Sequence, residues 1–410
     1  MPACSSSPID LLAARIGSAT DGVMGAEEPA DLVAALATVP DPRSRRGIRH
    51  RLVSVLALAV CAVLAGARSY VGIAEWAHDL PLGVRIRLGL TIRRATPSES
   101  AIRRLLQKVD PQALDQVVSN WLITRAAGTG CPSAEPVRIG ATPPSPTCRR
   151  VIAVDGKSAR GARQANGRAV HLLAAFDTRS GIVLGQSVVD GKSNEITALT
   201  PLLDRVDIAG ATITADALHT QDEHARYLHQ RGAHYVFIVK GNRPKLHQQL
   251  AGLPWCDIPA MDSCHDAAHG RRETRILKLA AVRNAVTGGI LFPHAQLAIQ
   301  IVRRRRLTNS RRCHTETVYA VTDLSWQEIR ADQLADVIRE HWHVENRLHW
   351  IRDVTFAEDL SQIRTEHGPA NMAALRNLAL SRHRIAGATN IAAACRHVGR
   401  HPNRVLPLLT

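Results

Sequence analysis

The sequence predicts an α/β protein built on a mixed sheet, with an all-helical region before the sheet and a β-rich insertion late in it. Three observations predict this. Residues 30–126 carry only helical spacing and helix-boundary signals. Residues 127–149 hold five prolines and three glycines, which marks a linker rather than an element. From residue 150 the order becomes β-β-β-α-β-α-β, with hairpin-length connections among the first three strands.

The elements follow in order. Residues 1–29 are rich in Ser, Ala and Gly without periodicity, so a loose tail is expected. A short amphipathic stretch, Asp31–Val39, is ended by Pro40 and Pro42. A basic turn follows from Arg43 to Arg51 and includes Arg45 and Arg46. The apolar run from Leu52 is shorter than the ~20 residues of a membrane span, so it predicts a buried core helix. Ser69–His78 predicts another helix. Ser98 is placed to cap the next, with Ile102, Leu105 and Leu106 at helical spacing and Arg103 and Arg104 on its outer side. Asp110 and Pro111 open a helix running through Trp121.

Beyond the linker, Val151–Val154 predicts a short strand ending at Asp155-Gly156. His171–Phe176 and Ile182–Val189 predict two more, joined by the turn Asp177–Gly181. A helix is expected over Asn194–Val206, a strand over Ala211–Ala215 ending at Asp216, a helix over Gln221–Gln230 and a strand over Tyr235–Val239. Residues 245–330 interrupt the alternation. They predict a polar stretch, then a hairpin of Gln296–Val302 and Glu316–Thr322 with a basic tip of Arg303, Arg304, Arg305, Arg306, Arg311 and Arg312. A long helix from Asp332 to about Asp353 and a basic helix at 369–384 follow, with 386–410 expected as a tail.

Charge narrows the function. The chain has 52 Lys+Arg against 36 Asp+Glu, a net +16. Such an excess repels itself in a compact state and implies a polyanionic partner, first nucleic acid and second an anionic membrane surface. With 45% hydrophobic and 21% charged residues the composition is ordinary for a globular protein, which excludes long disorder as the main architecture. The eight cysteines form no CxxC pair, so neither a zinc module nor a disulfide scaffold is expected. No signal-peptide pattern opens the chain, and a cytoplasmic, nucleoid-associated protein is expected.

Three acids stand where chemistry could be done. Asp155 and Asp216 each end a predicted strand, and sites in open α/β sheets form outside the carboxyl ends of strands. Glu345 lies at the edge of the apolar stripe Leu334, Val337, Val344, Leu348 and Ile351, with His341, His349 and Arg352 on its face. Carboxylates converging from separate elements suit hard divalent cations, Mg²⁺ above all, with Mn²⁺ able to substitute. Paired ions of that kind stabilise the attacking and leaving oxygens of phosphoryl transfer. Each Asp could instead cap a turn, and Glu345 could be a solvated partner of a neighbouring cation.

Longer motifs carry a resemblance. IAVDGK, VVDGKSNEITALTPLLDRVDIAGATITADALHTQ, YVFIVKGN and HWHVENRLHWIRDVTFAED resemble the DDE transposases of bacterial insertion sequences, nearest to the H-repeat-associated branch. DPRSRRGIRH, LAGARSYVGIAEWA and PSESAIRRLL resemble that branch's N-terminal domain. The resemblance implies an RNase H-like core over 150–385 with an insertion at about 245–330, and a catalytic triad of Asp155, Asp216 and Glu345 that binds metal. It also implies a helical DNA-binding region at 30–126, transposon ends and target DNA as partners, and a homodimer in the synaptic complex. Where many relatives carry Tyr-x2-Arg-x3-Glu-x6-Lys, this chain has Ile338, His341, Glu345 and Arg352. A nuclease or resolvase without strand transfer, and a non-catalytic DNA-binding descendant, are the alternative readings.

The remaining candidates divide by chemistry. Glu195 opens a predicted helix, where an acid suits the dipole; it is also a candidate fourth metal ligand. Asp353, Glu358 and Asp359 are expected in salt bridges or caps. Lys157, Lys240 and Arg352 are candidate phosphate contacts, together with Arg43, Arg45, Arg46, Arg103, Arg104 and Arg303–Arg306. Trp342 and Trp350 are expected in the core.

Overall fold

The computed structural model describes residues 31–46, 48–91, 94–128, 149–163, 167–189, 195–268, 270–282, 289–308 and 312–410. The expected tail 1–29, most of the linker and Arg311 lie outside them. The N-terminal region is helical, as its spacing predicts. Helix α1 (Leu32–Leu36) is capped by Asp31, whose carboxylate accepts from the Val33 amide at 2.8 Å. Helix α2 (Leu52–Leu64) is buried on all sides except at Val53, as a helix apolar around its whole circumference must be. The helices α3 (Tyr70–His78), α4 (Leu82–Arg87), α5 (Glu99–Lys108) and α6 (Pro111–Gly128) pack around it.

Residues 386–410 are not a tail. They form α13 (Ile391–Gly399) and a 3₁₀ turn (Pro402–Leu408), entered after α12 (Gly368–Ile385). Ile391, Cys395 and Val398, at i, i+4 and i+7, sink into the same core as α2, and the Leu32 amide donates to the Leu409 carbonyl at 2.8 Å. The first and last described segments thus close one core.

The sheet has nine strands among the described residues, in the order β3-β2-β1-β4-β5-β9-β8-β7-β6. Strands β1 (Val151–Arg163), β2 (Ala169–Asp177) and β3 (Val183–Val189) form an antiparallel meander; β4 (Thr212–Ala215) and β5 (His234–Val239) run parallel to β1. Helices α7 (Glu195–Leu203) and α8 (Asp222–Gln230) provide the crossovers. Strand β1 does not stop at Asp155-Gly156 as expected. Asp-Gly suits a turn, but β2 offers a continuous partner, and Asp155 pairs with Ala174 and Gly156 with Leu173. Alternation divides the sheet's two faces. Ile152, Val154, Ile213 and Ala215 pack with α7 and α8; Val151 and Ala153 face the other side.

The insertion continues the same sheet. It holds α9 (Pro244–Ala251) and four strands, β6 (Asp262–Ala268), β7 (Arg271–Ala281), β8 (Leu297–Leu307) and β9 (Cys313–Thr322). The expected hairpin is therefore part of a four-strand meander, and Arg303–Arg306 lie within β8 rather than at its tip. Consecutive arginines read as loop. The strand tolerates them because its side chains alternate: Arg304 and Arg306 are exposed, while Arg303 and Arg305 share Glu273.

The expected long helix is broken. α10 (Ala331–Glu340) gives way to a π-helical segment, Val344–His349, and then α11 (Trp350–Val354). No helix among the described residues is long and apolar enough to cross a membrane.

Candidate active site

Strands β1 and β4 pair in parallel, with Val154 opposite Ala215. The next residues are Asp155 and Asp216, so both acids leave neighbouring strands at one level. Strand β4 ends there while β1 runs on, which opens a notch beside Asp155. By alternation Asp155 faces the side that carries the π segment. That segment brings Glu345 and His349 to it: Asp155, Glu345 and His349 each offer one ligand atom, all within 4.8 Å of one another. His349 Nε2 lies 3.2 Å from Asp155 Oδ2. Asp216 stands beside this group rather than in it. Its Oδ1 accepts from the Leu218 amide at 2.9 Å and caps the turn Ala217–His219. His341 spans the two strands, with Nδ1 3.1 Å from Thr214 Oγ1.

The electrostatics follow from these contacts. Burial alone would raise the Asp155 carboxyl, but the hydrogen bond to His349 and the charges of His349 and His341 outweigh it, so Asp155 sits below the usual carboxylate range. His341 is pushed down by burial, against the pull of Asp155 and Asp216.

The other candidates separate. Glu195 is buried on the opposite side of β1, 2.6 Å from His171 Nε2 and 3.6 Å from His219 Nε2. Burial would raise it, but these imidazoles hold it at about 2. Gly156 leaves room for this pair, since a Cβ would lie 2.7 Å from both the Glu195 carboxylate and His171 Nε2. Arg352 is fully buried and gives its guanidinium to Glu358, so the expectation of a phosphate contact is corrected. An i→i+5 turn adds a residue and rotates everything after it by roughly the 100° of one α-helical position, which carries Arg352 off the face of Glu345. Lys157 is also spent internally, 2.7 Å from Asp353 and 3.5 Å from Asp359. These acids sit in salt bridges as expected.

Trp342 and Trp350 are 53% and 56% exposed, not in the core. Trp342 lines a cavity of about 270 Å³ together with Asp216, the exposed Lys240, Arg275, Arg303 and Arg339. Arg303 stacks 6.0 Å over its ring. A second hollow of about 520 Å³ continues along Arg271 and Arg305. This ledge is the same sheet face as the notch. Glu273 is 6% exposed beneath it; burial would raise its carboxyl, but Arg303 and Arg275 hold it low. In the helical region Arg43, Arg49, Arg94, Arg104 and Lys108 line a groove of about 1000 Å³. Arg45 and Arg46 are exposed nearby, and Arg103 pairs with Glu99 at 3.1 Å. Sequence reasoning found His349 only as a neighbour of Glu345. Its contact with Asp155, 194 residues earlier, has no local signal.

Comparison with known proteins gives the family. Residues 146–382 match the family described as Transposase DDE domain, and residues 33–122 match the DDE_Tnp_1-associated family. YhhI of Escherichia coli K12, whose name ties it to the H repeat and to transposases, is 28% identical over 359 residues, 85% of this chain and 89% of that protein. An uncharacterised protein from the dhlA 3′ region of Xanthobacter autotrophicus is 30% identical over 285 residues, 67% of this chain and 89% of its own length. A piggyBac transposase synaptic complex with hairpin DNA aligns with a TM-score of 0.39 and 10% identity over 92% of this chain and 77% of that one, a slight likeness. The family match spans more than half of the chain and contains every acid of the notch: the chain belongs to the DDE transposase family.

Proposed function

We propose that the protein hydrolyses the phosphodiester at the ends of an insertion sequence and joins the released 3′-hydroxyl to target DNA, using divalent ions held by Asp155, Asp216 and Glu345 on an RNase H-like core. The observation that carries this is the convergence of Asp155 and Glu345 donor atoms, with His349, within 4.8 Å beside Asp216. The donor set fits a divalent cation, since carboxylates converging from separate elements leave room for water and phosphate oxygens. Such an ion, when bound, supplies charge stabilisation at the phosphoryl oxygens and a more acidic water. The chain's own part is to hold DNA there. Lys240 and the arginine ledge lie along the cavity from Asp216 and suit phosphates, while the groove of the helical region suits the element's end. Two ends must be held together, so two copies are expected in the synaptic complex, and the +16 charge suits residence on the nucleoid in the cytoplasm. The test is incubation of the chain with its flanking terminal DNA, with and without Mg²⁺ or Mn²⁺, scoring nicking, joining and protection of the end. Cleavage that persists in excess EDTA, or nicking that never leads to joining, would refute the reading.

The ledge adds a separate expectation. Replacing Arg271 and Arg305 by Ser should weaken specific and random DNA alike. It should also reduce the slope of log affinity against log salt by about 1.8, at about 0.9 per phosphate contact. Replacing Arg304 and Arg306, on the opposite face of β8, should leave the slope unchanged. A salt titration of both double variants measures it, and equal slopes in the two would remove the ledge from the DNA path.

A further inference from the structure

We propose that His349 is itself a ligand of the catalytic ion, so the centre takes one imidazole nitrogen beside the oxygens of Asp155 and Glu345 and favours Mn²⁺ over Mg²⁺. The proposal rests on the reading that Asp155 and Glu345 hold that ion. His349 is 3% exposed, and its Nδ1 is buried without a hydrogen-bond partner. Its Nε2 points at Asp155, 3.2 Å from Oδ2. Ligands about 2.1 Å from a shared ion lie about 3 Å apart when adjacent and about 4.2 Å apart when opposite. The separation of 3.2 Å between Nε2 and Oδ2 meets the first distance, and Glu345 lies within 4.8 Å of both.

The chain geometry favours ligation over simple support. A residue that only orients Asp155 could sit anywhere behind it. His349 instead comes from the same π segment as Glu345, one turn on, so the two side chains share a face, and both reach the same point beside Asp155. π turns inserted in helices occur frequently at functional sites. The chemistry then sets the metal. Mg²⁺ prefers oxygen donors and near-ideal octahedral geometry, whereas imidazole nitrogen binds later first-row ions such as Fe²⁺ and Zn²⁺ best; of the two ions at issue, Mn²⁺, the first-row one, is the one that tolerates a nitrogen in the set.

The experiment is Mn²⁺ binding to the full chain, followed by electron paramagnetic resonance with pulsed detection of nitrogen coupling. The wild-type protein should show ¹⁴N coupling to bound Mn²⁺ that changes to the ¹⁵N pattern when the protein is grown on ¹⁵N-histidine. That readout needs no variant and no turnover. His349→Gln should lose the coupling and bind Mn²⁺ about a hundredfold or more weakly, beyond the roughly 10–100-fold typical of outer-shell substitutions. Its loss of Mg²⁺ affinity should be smaller, and His341→Ala should keep the coupling. Mn²⁺ that binds in a manner dependent on Asp155 and Glu345 but shows no histidine coupling would overturn the assignment while leaving the active-site reading intact. Mn²⁺ binding indifferent to Asp155→Asn and Glu345→Gln would overturn both.

Discussion

Replacing Asp155, Asp216 or Glu345 by Ala is expected to abolish strand cleavage while leaving binding to the element's end within a few-fold. Ligands of an ion that stabilises a phosphoryl transition state contribute several kcal/mol each, which corresponds to about a thousandfold or more in rate. Affinity comes mostly from phosphate contacts elsewhere and should survive. The three sites differ in their side effects. Glu345 is exposed and should be replaced without structural cost. Asp155 is in contact with His349. Asp216 caps the turn after β4, so its Ala variant also loses about 1 kcal/mol of local stability. Asp216→Asn keeps the capping oxygen and isolates the chemistry. Cleavage and gel-shift assays on the same variants measure both quantities. Substantial cleavage by any one of them would remove that residue from the triad.

Glu358→Ala should be the most destabilising single substitution near the site, by about 3–5 kcal/mol, because it leaves two arginines buried without their counter-charge. Glu358 accepts from Arg352 at 2.9 and 2.6 Å and from Arg376 at 3.0 Å, and all three side chains are buried. Burial alone would raise the carboxyl, but the two guanidinium groups hold it at about 2, against an ordinary value of 4.5. A depressed folded-state value fixes the sign. The stabilisation is complete above about pH 4.5 and is lost as pH falls toward 2. Glu358→Gln should therefore be less stable than wild type at pH 7 and approach it at pH 3. Urea unfolding at the two pH values decides this; a loss under 1 kcal/mol at pH 7 would show that the arginines find other partners.

The fold was legible wherever a local pattern and the tertiary structure agree. The strand and helix order from Val151 to Val239 follows from alternation and turn residues, and the neighbourhood of Asp155 and Asp216 follows from it. Legibility failed where distant partners override local signals. Asp155-Gly156 reads as a turn until β2 extends alongside. Arg303–Arg306 reads as a tip until Glu273, thirty residues earlier, is buried beneath two of them. Arg352 reads as a face-mate of Glu345 on a straight helix, and one extra residue in the turn sends it to Glu358 instead. Ile391, Cys395 and Val398 carry a plain helical stripe, yet what they cover lies more than 300 residues away. Glu195 reads as a helix-opening acid, but its histidine partners come from β2 and the turn after β4, which spacing does not connect.

The closure of one core by its first and last segments also sets a schedule. Helix α2 leaves the ribosome early, but α13 and the 3₁₀ turn that seal it arrive more than 300 residues later. At about 5–20 residues per second, that is a wait of roughly 15–70 s with an apolar helix uncovered. The core around α2 is therefore sealed only after the sheet has been synthesised. That core and the notch are both complete only once synthesis has passed Leu409.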